Sequence, residues 1–411
     1  MINDGAHRHA RAVQAPETSH HARVSARLRE TMKILWIVCV LVLTGCTAAP
    51  AGTVPRTPAA STPPAASPTE SDLDDEKDED ASDHSASTVL DVAVAGPDAA
   101  WAVGYAVTVE DEPSDGVLLR MDHDGWRVDQ RLYERFPGAI DSIVSGVDAD
   151  GPNEVWAVGD TGDLDEDSEE VRLPFALRWD GRRWKTFRPA QLPKVGALAD
   201  VAVDGSRAFL IGRRGEGTTS VPVLVTWNGR RFGKQEVQRG GRFHAVDAGA
   251  RQVWIAGSSS SGRCADSRPA IWHSATPGST PVEMRLPALG QGMLRHISQN
   301  GPSDVWAVGE RGTSGDCDEY GTGRPLILHW NGSSWTQVEP PRWKGSLYGV
   351  AAVGEDDVWV VGYEEDVTSE VTLLHYDGRR WKRKAGYTEG GSNVSGLARV
   401  DANLLLAAGD R

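Results

Sequence analysis

The sequence predicts an all-β fold: a single β-propeller of four-stranded antiparallel blades, seven in number with a thin last blade, six being the alternative. Two alternating motifs and their spacing carry this expectation. The first is "SDVWAVGE" from Ser303, with relatives "NEVWAVGD" from Asn153, "AAWAVGYA" from Ala99 and "DDVWVVGY" from Asp356. The second is "LRWDGRRW" from Leu177, returning as "VTWNGRRF" from Val225, "LHWNGSSW" from Leu328 and "LHYDGRRW" from Leu374, with a looser "RMDHDGWR" from Arg120. Trp101, Trp156, Leu210, Trp254, Trp306 and Trp359 mark the first motif at intervals of 55, 54, 44, 52 and 53. A period near 50 belongs to propeller-type repeats.

Residues 1–31 are polar, rich in His and Arg, and read as an over-long start or a disordered segment. Residues 32–45 read as a lipoprotein signal peptide. Ile34 to Leu43 is an apolar run, shorter than the roughly 20 residues a membrane helix needs. It ends in Leu43-Thr44-Gly45-Cys46, which resembles a bacterial lipobox, with cleavage before Cys46 and lipid on its thiol. Residues 46–87 read as a disordered linker. Ala, Pro, Thr and Ser dominate its first half, and Glu70 to Asp83 holds nine acidic residues and one lysine. Such a composition cannot bury a core and behaves as an extended tether.

Residues 88–411 read as the propeller. In the fifth repeat the strands are His296 to Ser298, Val305 to Gly309, Leu326 to Trp330 and Trp335 to Val338. Asn331-Gly332 reads as a hairpin turn, because both residues tolerate positive φ. Trp330 and Trp335 then face each other across it, where aromatic pairs stabilise a sheet. The unbroken apolar run Val-Trp-Ala-Val suits an inner strand covered on both faces by neighbouring blades. Repeats start near 88, 142, 197, 243, 294 and 347. A seventh starts near 394, and the chain ends after two of its strands.

The alternation of "DVWAVG" with "HWDGxxW" resembles the propeller repeats of bacterial secreted and surface proteins. Those are similar to the Asp-box and kelch-type propellers of sialidases, galactose oxidase and photosystem-assembly factors. The resemblance implies a fold; one such fold hosts many functions. The turn Asp180-Gly181-Arg182-Arg183-Trp184 is one residue shorter than an Asp-box, which departs from the sialidase pattern.

Function is expected on the face that carries the loops between strands two and three and between blades, since these vary while the opposite turns are uniform. Residues just after strand two of each blade would surround the channel mouth there: Tyr105, Asp160, Arg213, Ser258, Glu310, Tyr363 and Asp410. Tyr133 and Trp343 are further ligand-binding candidates, with Phe136 and Tyr348 beside them. Asp163, Asp165 and Asp167 alternate in an acidic loop and are weak calcium candidates. Cys264 and Cys317 occupy the same loop of neighbouring blades and are expected to form a disulfide outside the cytoplasm.

The net charge of −15 excludes a basic nucleic-acid footprint. No nucleophile elbow, phosphate loop or His-x-x-x-His pair is present, and Arg213, Tyr105, Tyr363 and Glu310 match only part of a sialidase-like site. The expectation is therefore a monomeric lipoprotein, anchored on the outer face of the bacterial cytoplasmic membrane, that binds a protein or a glycan. An assembly factor for an envelope complex and a glycan-active enzyme are the alternatives. No cofactor is expected beyond the calcium candidate.

Overall fold

The computed structural model describes residues 39–42, 86–97, 99–107, 114–164, 170–215, 220–237, 240–260, 266–312, 323–364, 371–384, 394–399 and 404–409. Six antiparallel sheets of four strands each follow one another in chain order, every strand pairing with its sequence neighbour. Their innermost strands are Ala86–Gly96, Asp141–Ala149, Ala197–Asp204, Gly241–Gly249, Gly292–Gly301 and Gly345–Gly354. These pack side by side in order, so the sheets are the blades of a propeller around a central channel. We number the blades one to six. One short helix, Leu132–Arg135, links blades one and two.

The expected count of seven blades is corrected to six. Among the described residues after blade six there are two strands, Val394–Arg399 and Leu404–Gly409, and no aromatic hairpin that makes an outer pair. A third strand, Cys39–Val42, pairs antiparallel with Leu404–Gly409, so this sheet is three-stranded and not built to the blade pattern. Val394–Arg399 lies against the inner strands of blades six and one and closes the ring as a wedge.

Each position of the first motif has a packing reason. The strand-two tryptophan is sealed: Trp101, Trp156, Trp254 and Trp306 are at most 2% exposed. It inserts between the two aromatic rings of the next blade's outer hairpin. Trp101 meets Trp179 and Trp184 of blade two at 5.6 and 5.0 Å. Trp254 meets Trp330 and Trp335 of blade five, and Trp306 meets Tyr376 and Trp381 of blade six. Blade three carries Leu210 instead of tryptophan. Blade four is also the blade whose outer pair, Arg268–Ser274 and Val282–Glu283, lacks the aromatic hairpin. Wedge and receptor are missing together.

The acidic residue two places before the tryptophan accepts the indole N–H: Glu154 at 2.7 Å, Asp304 at 2.8 Å and Asp357 at 2.8 Å. The same carboxylate holds the strand-three residue that stacks on the indole: Arg178, His329 or His375. His329 lies 4.2 Å from the Trp306 ring and His375 4.2 Å from Trp359. The histidines of the second motif are thus part of the wedge. Replacing Asp304 by Ala strands a buried indole N–H and an imidazole. We expect a loss of about 2–3 kcal/mol, read as a lower midpoint in urea unfolding, while Asp304→Asn keeps an acceptor and loses less.

The closing glycine of the motif is a steric requirement. A Cβ on Gly309 would run into the Met293 carbonyl of the inner strand, and the corresponding glycines of the other blades meet an equivalent carbonyl. The outer hairpin differs from expectation in one detail. Only the glycine takes positive φ, 89° at Gly332. Asn331 instead uses its side-chain oxygen to accept the N–H groups of Ser333 and Ser334, both at 3.0 Å, an Asx turn. Asp180, Asn228 and Asp377 do the same. Arg182, Arg183, Arg230, Arg231, Arg379 and Arg380 follow these residues and are exposed on that face.

Candidate functional site

Every inner strand carries a β-bulge where it passes the motif glycine. One residue there has no partner in strand two: Leu90, Ser145, Ala199, His244, Arg295 and Tyr348 in blades one to six. A bulge re-aims a side chain without disturbing the rest of the strand. In blades one to three that side chain is small or aliphatic. In blades four to six it is an imidazole, a guanidinium and a phenol, and these three line one cleft of about 290 Å³ together with Arg242, Ser258, Ser267 and Met293. Its lining residues come from the starts of inner strands and the end of strand two, so it opens on the variable-loop face at the channel mouth.

The groups in the cleft are held in fixed roles. His244 Nδ1 lies 2.8 Å from the Leu294 carbonyl. That nitrogen must carry the proton, which leaves Nε2 an acceptor. Burial, followed by the charges of Arg295 and Arg242, pushes the imidazole pKa down to about 4, so the ring is neutral at physiological pH. Arg295 makes a bidentate pair with Glu310, at 2.8 and 2.7 Å, and Glu310 is only 2% exposed. The Arg295 guanidinium also lies 4.8 Å from the centre of the Tyr348 ring. Arg242 is exposed and its side chain has no partner among the described residues. Ser258 and Ser267 are buried. The cleft therefore offers a free cation, hydroxyl groups and one obligate acceptor. A larger groove of about 530 Å³ lies beside it, lined by Asp266, Arg268, Trp272 and Glu283 among others.

Below the mouth, the channel of about 250 Å³ is lined by Asp91, Asp148, Asp200, Asp247, His296 and Ser298. These residues bolt each blade to the next. Asp91 accepts the Val147 N–H at 2.9 Å, Asp148 that of Val203 at 2.7 Å, Asp200 that of Val246 at 2.9 Å and Asp247 that of Gln299 at 2.6 Å. Ser298 Oγ accepts the Ala352 N–H at 3.1 Å. The aspartates alternate between two levels. Asp91 and Asp200 stand opposite Val103 and Ile211, while Asp148 and Asp247 stand opposite Trp156 and Trp254. Gly146 fills the upper level in blade two because a Cβ there would come 2.7 Å from Asp200 Oδ1. Burial raises all four carboxyl groups, to about 8 at Asp148, where the charge of Asp247 adds to it, and to about 6 at Asp247. At Asp91 burial acts, and at Asp200 burial and then the charge of Asp91. His296 is pushed down to about 4 by burial, and its Nδ1 has no hydrogen-bond partner.

Among the residues expected after strand two, the structure brings Ser258 and Glu310 to the cleft, the second through Arg295. Asp160 is engaged by Arg172, which also reaches Asp141 at 2.5 Å. Arg213 is exposed at the end of its strand, and Tyr105 and Tyr363 are half-buried at theirs. Tyr133 is 50% exposed on the linking helix. Trp343 is half-buried, packed against the cluster of Trp306, Val308 and Leu347. Asp163 lies in a strand, whereas Asp165, Asp167, Cys46, Cys264, Cys317 and Asp410 lie outside the described residues. Among the described residues, three carboxylate or imidazole atoms within 4.8 Å of one another occur only at Asp122, His123 and Asp124, in an outer hairpin of the opposite face. Arg242, His244, Ser267, Met293 and Arg295 escaped the sequence reading. Aligning the repeats on the motif glycine and asking which inner-strand residue is left over would have found the bulge positions.

No protein-family profile matches the chain, and no curated protein matches it. Solved structures do. An ulvan lyase of a polysaccharide lyase family, bound to GlcA(1-4)Rha3S, is 12% identical over 77% of this chain and 88% of its own, with a TM-score of 0.50. YCF48 bound to D1 peptide is 15% identical over 79% of this chain and 90% of its own, with a TM-score of 0.49. The β-propeller domain of the Trilobed protease from Pyrococcus furiosus is 11% identical over 79% and 90%, with a TM-score of 0.48. At these identities the likeness is one of fold. No helix among the described residues is long and apolar enough to cross a membrane.

Proposed function

We propose that this chain is a binding module displayed outside the cytoplasmic membrane, tethered through a lipid on Cys46, with the strand Cys39–Val42 removed by cleavage before that residue and the wedge Val394–Arg399 left to close the ring; its propeller takes a glycan or protein partner at the channel mouth. The observation that supports it is the cleft of about 290 Å³ in blades four to six, built largely from bulge residues and holding the Arg242 guanidinium, which has no partner among the described residues. Concave sites with a few convergent polar groups are where ligands bind. The Trp wedges and channel aspartates are absorbed by the scaffold, whereas Arg242 makes no scaffold contact that would explain it. The exposed arginines of the opposite face suit an anionic surface beneath the tether.

The test is photo-crosslinking on intact cells with the probe at Arg268, exposed in the groove beside the cleft. Discrete cross-linked species that disappear when the cleft is altered support the reading. A probe that captures the same species from any exposed site, for example Tyr133, counts against it.

A further inference from the structure

We propose that the cleft in blades four to six is a subsite for a hexuronic acid, a sugar bearing a carboxylate; this rests on the reading of the propeller as a binding module. Its chemistry is that of a ligand with one negative charge and several hydroxyl groups. Arg242 supplies a cation that no carboxylate among the described residues neutralises. Glu310 occupies two donors of Arg295 and fixes its plane against Tyr348, so Arg295 stands as a rigid wall. A ligand carboxylate beside Arg242 gains a charge-assisted contact that is absent in the free protein.

The remaining groups select hydroxyls. His244 Nε2 is an acceptor by virtue of the Nδ1 contact with Leu294, so it needs a donor from the ligand. Ser258 and Ser267 can donate or accept. Acetate would leave His244 unmatched, and a neutral sugar would leave Arg242 unmatched. A peptide carboxy terminus would bring a side chain that needs an apolar wall, and Met293 is the one aliphatic side chain of the lining among the described residues. A cavity of this size sits at the small end of ligand pockets and suits one sugar unit with its neighbours outside.

The experiment is titration calorimetry on the full chain with D-glucuronate, glucuronamide, glucose, acetate and N-acetyl-dialanine. Glucuronate is expected to bind at least about tenfold tighter than the other four, the ratio a charged hydrogen bond supplies. Arg242→Gln, at an exposed position, is expected to remove that advantage. An unchanged thermal midpoint verifies the fold. Equal affinity for glucuronate and glucuronamide overturns the proposal, as does tighter binding of N-acetyl-dialanine or indifference to Arg242→Gln. A cleft-dependent cross-link from Arg268 without any preference for glucuronate removes the sugar acid and leaves the binding module standing. Loss of both removes both.

Discussion

Raising the pH from about 7 to about 9 is expected to destabilise the propeller by several kcal/mol, about 1.4 per pH unit for each aspartate that has ionised in the folded state, read as a fall in thermal midpoint. The cause is the channel. Four aspartates share a buried lumen, and each has a folded-state pKa above its unfolded value near 3.9. Folding therefore takes up protons. The stability they contribute is complete below the unfolded value and is lost as the pH rises through the folded values, about 6 at Asp247 and about 8 at Asp148. His244 and His296 act in the other direction. Both are held neutral, at about 4, so their contribution is present above the unfolded value near 6.5 and fades as the pH falls towards 4. The two sets oppose each other in mild acid, and only the aspartates titrate above neutrality. Replacing Asp148 and Asp200 together by asparagine keeps an oxygen for the Val203 and Val246 N–H groups and removes the charge. That variant should show a flatter midpoint between about pH 7 and about pH 9. A decline parallel to the unaltered protein's would place the cause elsewhere.

Trp306→Ala is expected to cost about 4 kcal/mol. The ring is 2% exposed, stacks on His329, and enters the Tyr376–Trp381 pair of blade six. Its removal opens a cavity at a blade boundary, and Asp304 loses its indole donor. Trp359→Ala should cost less, because no aromatic hairpin follows blade six to receive that ring. Leu210→Trp should bring no gain, since blade four offers no receptor. Chemical denaturation of the three variants gives the ranking, and a Trp359 loss as large as that of Trp306 would show that burial within one blade, not insertion into the next, carries the energy.

The fold was legible because its determinants are local and repeated. Inner strands begin at Ala86, Asp141, Ala197, Gly241, Gly292 and Gly345, within a few residues of the repeat starts read from the motifs. Blade number was not legible, because ring closure depends on how a C-terminal pair meets blades six and one, a long-range contact with no local signature. The cleft was half legible. Ser258 and Glu310 could be placed by counting from the motif, since strand two is regular. His244 and Arg295 could not, because a bulge shifts the alternation by one residue and turns side chains that plain period-two counting misassigns. The channel aspartates were hidden for a related reason: they alternate between two levels, so no single offset from the tryptophan collects them.

The bolts in the channel also have a direction. In each case the side-chain oxygen belongs to the earlier blade and the backbone N–H to the later one. A chain that emerges amino terminus first thus carries each docking acceptor into place before its donor arrives. Stopped part-way, it ends on a carboxylate or, after blade five, a hydroxyl that water solvates readily, whereas a chain that lost its first blade would leave a bare amide facing the lumen. The propeller is in this sense a one-way assembly line.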